Sequence, residues 1–596
     1  MRKMLAIPNY TYSVLCFVLL VQVYACKKQP VQKPGEMLFF KIEAAKNPHA
    51  LTNDINGTIT NKEIVLKIPS GVKVNSLVAT FDFVGTGVTV NGTSQQPGAS
   101  SNNFEQPLQY LVMGNDKVVV PYTVRIETFA DEGLNISNIA LQKVSNTSLP
   151  KDYNFSFNTK GDTAFVLMPP LYGKTFLTNF TTTATTVSIN GVVIQNNAGI
   201  DFSNPVSINV ISASGFKKQI VLKVNWATEL PHIIINTTGG APIISKDDYL
   251  TATIKIDGKG IFDNYESTTR IKGRGNSTWS YPKKPYRLKL DNTVSLFGLA
   301  PEKDWVLLAN YLDWTLMLNA VAMKTGSLIN FPYANNMIPV DLTINNQYVG
   351  SYAFTEQVET GANRVNVGTN GLLLELDTYF DEPYEFRSAG YNLPVMIKYP
   401  ELTDQLGVVP VKTTFEQMES LVSATSFPAN NYSDYIDVDS LVSYFLVQML
   451  TDNEELNHPK STYMHKSASG KFIMGPLWDF DWAYGYQGSS GVYYLSSTKP
   501  LFWAANTSAG SKFFSRLMAD PVVKTKFKQA WTSFKATKLP ILQKYIDDYA
   551  AFITQSQARD YILWKRGSGS LGIDVGKLKV WLSNRAAYID GYVAGF

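Results

Sequence analysis

Two carboxylates stand two residues apart in an aromatic segment, 478–482. Asp479 and Asp481 alternate there with three bulky aromatic residues. Burying a carboxylate among aromatic rings is costly unless a cation or a hydrogen-bond network compensates its charge. We therefore predict that Asp479 and Asp481 are metal ligands.

An acidic loop, 452–457, precedes this segment and follows a predicted amphipathic helix. Asp452 and Asn457 repeat a protein-kinase spacing, in which the Asp accepts the proton of a substrate hydroxyl and the Asn holds a second magnesium ion. The chain between Asp452 and the aromatic segment is longer than in typical kinases. Glu454 or Glu455 is therefore an alternative base.

A glycine-rich turn, Gly273-Arg274-Gly275-Asn276, follows a predicted strand. Its backbone N–H groups can point toward a phosphate, and the Arg and Asn side chains add donors. The third glycine of a kinase loop is absent, and Thr278 stands near its place. The turn is a predicted phosphate contact.

The next strand, predicted at 286–290, carries Lys289 on its polar face. A kinase keeps its phosphate-binding lysine one strand after the glycine-rich loop, so Lys289 is predicted for that role, with Lys284 as the alternative. The helix predicted at 313–323 occupies the position of the kinase C-helix but contains no Glu. Asn319 is its one strongly polar group.

Three further acidic residues follow. Glu356 lies at the predicted crossing between two lobes, where an adenine would bind. Glu375 and Asp377 end another strand on one face and form a rival metal pair, although the solubility of an edge strand is the simpler explanation.

Four ordered motifs resemble the spore-coat protein H (CotH) kinase-like family, and they lie at 270–279, 283–291, 303–310 and 475–485. The resemblance covers residues 230–596. It implies an atypical kinase that uses ATP and a divalent metal, Mg²⁺ or Mn²⁺, to phosphorylate Ser, Thr or Tyr hydroxyls of a protein substrate.

The fold predicted for the chain of 596 residues is multidomain. Short runs of β-branched and aromatic residues predict two all-β, Ig-like sandwich domains at 37–130 and 131–228. The Asn-Gly turns at 91–92 and 190–191 lie 99 positions apart, which indicates a tandem repeat.

The remainder, 229–596, is predicted as an α+β atypical protein-kinase-like domain. Its N-lobe is predicted at 229–360, and its α-rich C-lobe at 361–596. Both sandwich domains lack clustered titratable groups, so they are interpreted as spacers, with glycan or protein binding as the alternative.

A lipoprotein signal peptide is predicted at 1–25, because two basic residues precede an apolar core too short to span a bilayer comfortably. The core ends in a sequence that resembles a bacterial lipobox, so Cys26 is the predicted lipidation site. Residues 26–36 would be a tether. We expect an exported protein, lipid-anchored to a bacterial membrane on its periplasmic or cell-surface side.

Composition bounds the partners. The net charge of +4 is small and the charged residues are dispersed along the chain, so no nucleic acid partner is expected. Both cysteines, Cys16 and Cys26, lie in the N-terminal region, which leaves no disulfide in the body of the chain.

Two other functions compete with phosphoryl transfer. The first is a catalytically inactive kinase-like surface protein that binds polysaccharide or protein through exposed aromatic residues, namely Trp279, Tyr484, Tyr486 and Trp503. The second is hydrolysis at His458 and His465, which flank the acidic loop. No G-x-S-x-G or H-E-x-x-H motif supports hydrolysis.

Overall fold

The computed structural model describes residues 33–51, 54–129, 134–212, 217–488, 491–500 and 507–596. The predicted signal peptide, the predicted lipidation site at Cys26 and Trp503 lie outside these residues. Within the described part of the chain, no helix is both long and apolar enough to cross a membrane.

The chain divides into two compact units. The first runs to Asn135 and adds Thr183–Thr186 and Val210–Lys218. The second holds Ile136–Thr182, Val187–Asn209 and Gln219–Phe596.

The first β region contains the following strands: β1 Glu36–Ile42, β2 Ile55–Asn56, β3 Thr58–Thr60, β4 Glu63–Pro69, β5 Leu77–Val84, β6 Gly87–Val90, β7 Thr93–Ser94, β8 Ser101–Asn102, β9 Leu108–Met113 and β10 Val119–Phe129. They form two sheets, ordered β2-β1-β5-β8 and β3-β4-β10-β9-β6-β7. Phe40, Phe81 and Tyr110 pack in the core, with the Phe40 and Tyr110 rings 5.0 Å apart.

The second β region repeats this arrangement with β11 Ile136–Leu141, β12 Tyr153–Asn154, β13 Ser156–Phe157, β14 Thr163–Met168, β15 Thr175–Thr182, β16 Thr186–Ile189, β17 Val192–Val193, β18 Ala198–Asp201, β19 Val206–Ile211 and β20 Lys217–Trp226. Its sheets are ordered β12-β11-β15-β18 and β13-β14-β20-β19-β16-β17, the same order as in the first region. Asn91 and Asn190 both adopt positive φ, 48° and 50°, as the hairpin turn requires. The strand order therefore agrees with the predicted repeat.

A closed seven-stranded barrel opens the remaining part with β21 His232–Thr237, β22 Leu250–Asp257, β23 Tyr265–Gly273, β24 Tyr286–Val294, β25 Glu302–Leu308, β26 Ile338–Ile344 and β27 Gln347–Glu356. Antiparallel pairs follow one another around it, and a parallel pair between β21 and β26 closes it. Tyr286, Leu288 and Leu290 of β24 are buried, while the residues between them face outward.

A five-stranded sheet, ordered β29-β30-β28-β31-β32, follows the barrel with β28 Leu372–Leu376, β29 Glu385–Arg387, β30 Pro394–Tyr399, β31 Thr462–Lys466 and β32 Ile473–Met474. The helices of this part are α1 Leu318–Leu328, α2 Val408–Ser423, α3 Val438–Thr451, α4 Ala509–Met518, α5 Pro521–Thr537, α6 Leu539–Trp564 and α7 Leu571–Ala594. An all-β N-terminal region is thus followed by a region with a barrel, a sheet and a largely helical C-terminal end.

Candidate functional site

A cleft of about 280 Å³ gathers side chains from the barrel, the five-stranded sheet, the acidic loop and the aromatic segment. The polar and charged residues that line it include Arg274, Asn276, Asn310, Glu375, Asp377, Lys398, Glu455, Lys460, Asp479 and Asp481. All of these residues belong to the second compact unit.

The side-chain amide of Asn319 in α1 makes two hydrogen bonds to the aromatic segment. Its Nδ2 donates to Asp481 Oδ1 at 3.0 Å, and its Oδ1 accepts from the Phe480 N–H at 3.0 Å. Asn453 Nδ2 donates to the carbonyl oxygen of Asp479 at 3.2 Å. Ser461 Oγ also donates to Asp479 Oδ2 at 3.5 Å. These bonds hold the aromatic segment in place.

The carboxyl groups of the cleft repel one another. Burial and the nearby Asp479 raise the pKa of Asp481 to about 7. Burial and Asp479 raise the pKa of Glu455 to about 9. Glu455 is only 6% exposed, and its Oε2 has no hydrogen-bond partner among the described residues. A cation placed here would relieve this repulsion.

Cationic side chains face the acidic cluster. The Arg274 guanidinium lies 5.3 Å from the Trp478 ring centre, and burial lowers the pKa of Arg274 while Asp479 opposes the shift. Lys460 Nζ lies 4.6 Å from the ring centres of both Tyr379 and Trp482. Arg274 and Lys460 thus place positive charge beside Asp479.

The carboxylates of the cleft fit a Mg²⁺ ion whose coordination shell would be completed by the phosphates of a nucleotide. Among the described residues, no group of three or more His, Cys, Asp and Glu is arranged to hold a metal by itself. Mg²⁺ is commonly held by one or two carboxylates together with substrate phosphates. Asp479 and Asp481 would supply the carboxylates of such a site, and Glu455, whose Oε2 has no partner among the described residues, lines the same cleft.

The glycine-rich turn lies where the sequence predicts it. Arg274, Gly275 and Asn276 line the cleft together with the two aspartates. Gly273 does not line it, but a Cβ at this position would come within 2.3 Å of the Trp279 ring. Gly275 has a φ of +82°, which favours glycine.

The kinase spacing predicts Asp452 and Asn457 as site residues, but neither of them lines the cleft. Asp452 ends α3 with a φ of +51°, is 3% exposed, and pairs with Arg585 Nη2 at 2.8 Å outside the cleft. Asn457 Oδ1 accepts from Ser511 Oγ of α4 at 3.2 Å, also outside it. Glu455 lines the cleft. Of the predicted base candidates, the geometry favours Glu455.

The two predicted contacts on the barrel lie elsewhere. Lys289 is on the outward face of β24, and its Nζ lies 3.8 Å from Asp304 Oδ2. Glu356 is buried, and its carboxylate accepts from the backbone and side chain of Asn336 at 2.8 and 2.7 Å. The alternative Lys284 donates to the Trp279 carbonyl at 2.6 Å. None of these lysines or Glu356 lines the cleft.

Several lining residues carried weaker sequence signals. Asn319 is the one strongly polar group inside the helix predicted at 313–323. A lone polar residue there signals a buried partner but does not identify it. Glu375 and Asp377, the rival metal pair, line the same cleft as Asp479 and Asp481. Lys460 carries no signal in the sequence, because its place depends on rings from two distant segments.

A model of the family described as CotH kinase protein matches residues 271–589. The match defines the chain as a kinase-like protein. Because it spans more than half of the residues, the chain belongs to the CotH family. No curated protein matches the chain.

Comparison with solved structures gives weak similarities. A "putative glycoside hydrolase" from Bacteroides thetaiotaomicron is 11% identical over 65% of this chain and 89% of that chain, with a TM-score of 0.14. A DUF4623 family protein from Bacteroides eggerthii is 11% identical over 64% and 86%, with a TM-score of 0.12. Extracellular cadherin domains 1–4 of protocadherin gamma B7 are 13% identical over 42% and 72%, with a TM-score of 0.10. These TM-scores carry no conclusion about fold or function.

Proposed function

We propose that this CotH protein is an atypical protein kinase that transfers the γ-phosphate of ATP to a Ser, Thr or Tyr hydroxyl of a protein substrate. One observation carries the proposal. Asp479, Asp481 and Glu455 place three mutually repelling carboxyl groups in a cleft that Arg274 and Lys460 also line. Such a cleft suits a divalent cation and the phosphates of a nucleotide.

Each residue has a role in this proposal. Asp479 and Asp481 hold Mg²⁺ or Mn²⁺, which when bound neutralises charge on the phosphates. Arg274, Asn276 and the backbone of the turn bind phosphate oxygens. Phosphoryl transfer depends mainly on such positioning and electrostatic stabilisation.

Glu455 is the proposed base. Its carboxylate accepts the proton of the substrate hydroxyl as that oxygen attacks the γ-phosphorus, and ADP leaves with the bridging oxygen. The raised pKa of Glu455 favours the protonated form at neutral pH when the cleft holds no cation. Positive charge bound beside Asp479 would lower this pKa and free the carboxylate to act.

The cellular setting of the proposal rests on the sequence. Lipidation at Cys26 would anchor the exported chain to a bacterial membrane, and the two β regions, proposed as Ig-like, would act as spacers. The proposed protein substrate would then lie on the exported side of that membrane.

A second candidate is an inactive kinase-like surface protein that binds polysaccharide or protein. The position of Lys289 favours it, because this lysine lies outside the cleft. Tyr281 and Tyr311, whose rings stack on each other at 5.5 Å, add aromatic surface to the cleft that a sugar ring would contact. A thermal shift with glycans and none with ATP and Mg²⁺ would favour this candidate.

Labelled ATP tests the kinase proposal. The purified chain would be incubated with γ-labelled ATP, Mg²⁺ or Mn²⁺, and casein, and label would be measured on both proteins. We expect transfer by the wild type and none by Asp479→Asn. The control is Asp439→Asn, because the Asp439 side chain is 78% exposed on α3 and, among the described residues, forms an ion pair only with Lys526. Equal labelling by Asp479→Asn would remove Asp479 from the mechanism.

A further inference from the structure

A second cavity, of about 390 Å³, lies where the second β region meets α1, the loop after α1, and α6. It shares no lining residue with the cleft. Its lining residues all belong to the second compact unit. Its volume falls within the range of about 300–1,000 Å³ that is usual for small-molecule sites.

Lys324 of α1 brings a cation without a counter-ion into this cavity. Its ammonium group has no hydrogen bond and no carboxylate partner among the residues that the structure describes. Its Nζ lies 5.3 Å from the Tyr545 ring centre, and burial lowers the pKa of Lys324. Lys283, by contrast, is buried against Asp560 at 2.6 Å. A partly buried ammonium without such a partner is a cost to the folded protein.

Asn335 adds a hydrogen-bond acceptor without a donor. This residue is 3% exposed and lines the cavity. Its Nδ2 donates to Thr355 Oγ1 at 3.2 Å and to the Glu356 carbonyl at 2.7 Å. Its Oδ1 has no partner within the described ranges. A buried acceptor of this kind calls for a hydroxyl or amine donor.

The walls and rim complete the chemistry of the cavity. Tyr172 and Tyr545 offer aromatic faces, and Phe297 adds apolar surface. Ser148 and Ser327 offer hydroxyl groups near them. Aromatic faces combined with several polar groups suit a compact ligand with many hydroxyl groups.

We infer that this cavity binds a small hydroxylated anion, a sugar that carries a carboxylate or a phosphate. The anionic group pairs with the Lys324 ammonium, and a hydroxyl donates to Asn335 Oδ1. The sugar ring lies against the tyrosine faces. A neutral sugar leaves the ammonium unpaired and binds more weakly.

Calorimetry and thermal unfolding of the full-length chain test the inference. The probes are D-glucuronate, glucose 6-phosphate and neutral D-glucose, so the carboxylate and phosphate sources are separated. We expect at least one anionic sugar to bind with a Kd below about 1 mM and to raise the melting temperature, and glucose to bind at least about tenfold more weakly.

Two lysine variants separate a binding site from a packing role. Lys324→Met should weaken the anionic sugar at least about tenfold and raise the melting temperature of the ligand-free protein, because a buried unpaired charge is removed. The control Lys577→Met removes an ammonium 5.5 Å from the Trp314 ring, outside the cavity, and should leave sugar binding unchanged.

Absence of binding by both anionic sugars at concentrations up to about 10 mM would overturn the inference. Unchanged sugar affinity in Lys324→Met would overturn it as well. A Lys324→Met variant that melts at a lower temperature and still binds the sugar would assign the lysine to packing alone.

Discussion

The pKa of the Asp481 carboxyl is raised to about 7 by burial and by the nearby Asp479. Because a metal ion binds the ionised carboxylate, protons compete with the metal below that pH. Mn²⁺ affinity should therefore increase from about pH 6 to about pH 8, with proton release near neutrality. Calorimetric titration at both pH values, in buffers of different ionisation enthalpy, measures affinity and proton release. Affinity that is equal or stronger at the lower pH would argue against Asp481 as a ligand.

The same shift has a consequence for stability without metal. The folded state favours protonated Asp481, so the unfolding free energy should fall as pH rises from the ordinary value of 3.8 toward about 7. Metal binds the ionised form and should restore stability above that pH.

Arg585 and Asp452 form a buried ion pair at 2.8 Å. Arg585→Met would leave the Asp452 carboxylate buried without a partner, so we expect a loss of about 3–5 kcal/mol in unfolding free energy. Denaturant unfolding measures this loss, and adding Asp452→Leu should recover part of it.

The activities of two acidic variants distinguish the roles in the acidic loop. Glu455→Gln should reduce phosphate transfer by about 100-fold or more. The folded fraction of the Asp452→Asn variant should retain most of the specific activity of the wild type. Loss of transfer in a fully folded Asp452→Asn, with transfer preserved in Glu455→Gln, would return the role of base to Asp452.

The sequence predicts these residues unevenly. The aromatic residues around Asp479 and Asp481 reveal a costly carboxylate pair, which does lie in the cleft. The alternation in β24 also places Lys289 on the polar face correctly. Nothing local tells whether that face meets the cleft or solvent, because this depends on closure of the barrel through the distant pair β21 and β26.

The helix α1 is the element that positions the aromatic segment. Asn319→Leu would leave the buried Phe480 N–H without an acceptor and Asp481 without a donor. We expect a loss of about 1–3 kcal/mol in unfolding free energy, together with weaker Mn²⁺ binding. Thr325→Val is the control on the same helix, since Thr325 Oγ1 donates to the Val321 carbonyl at 2.8 Å and to no other residue that the structure describes. Equal Mn²⁺ affinity in both variants would exclude a positioning role for Asn319.

The N-terminal ends of helices α3 and α1 differ in how well the sequence predicts them. Asp437 caps α3, because its Oδ1 accepts from the Ser440 N–H at 2.7 Å. Asp313 was expected to begin α1, but the helix begins at Leu318, whose N–H Asp313 Oδ2 accepts at 2.7 Å. Leu316 adopts a φ of +57°, which interrupts the helix between them.

At the scale of the molecule, most of the second β region packs against the CotH region inside one compact unit. Tyr153 Oη donates to the Ile261 carbonyl at 2.6 Å, and Lys143 Nζ donates to the Gly298 carbonyl at 2.9 Å. The 99-position offset between the Asn-Gly turns indicates the tandem repeat from the sequence alone. The sequence does not indicate this packing, because the contacts join residues more than 100 positions apart.

A pair of truncations tests that packing. A chain that begins at 229 loses these contacts and exposes buried apolar surface, so it should melt at a lower temperature than one that begins at 131. Circular dichroism on heating measures both. Equal melting temperatures would mean that the second β region contributes no stability to the remainder.

Cation-dependent nucleotide binding tests the central claim most directly. ATP would be titrated calorimetrically into the wild type and Asp479→Asn, each with Mg²⁺ and with a chelator. We predict that Mg²⁺ tightens ATP binding to the wild type by at least about tenfold and that Asp479→Asn abolishes this gain. ATP binding that is equally strong with the chelator, or unchanged in Asp479→Asn, would contradict the account.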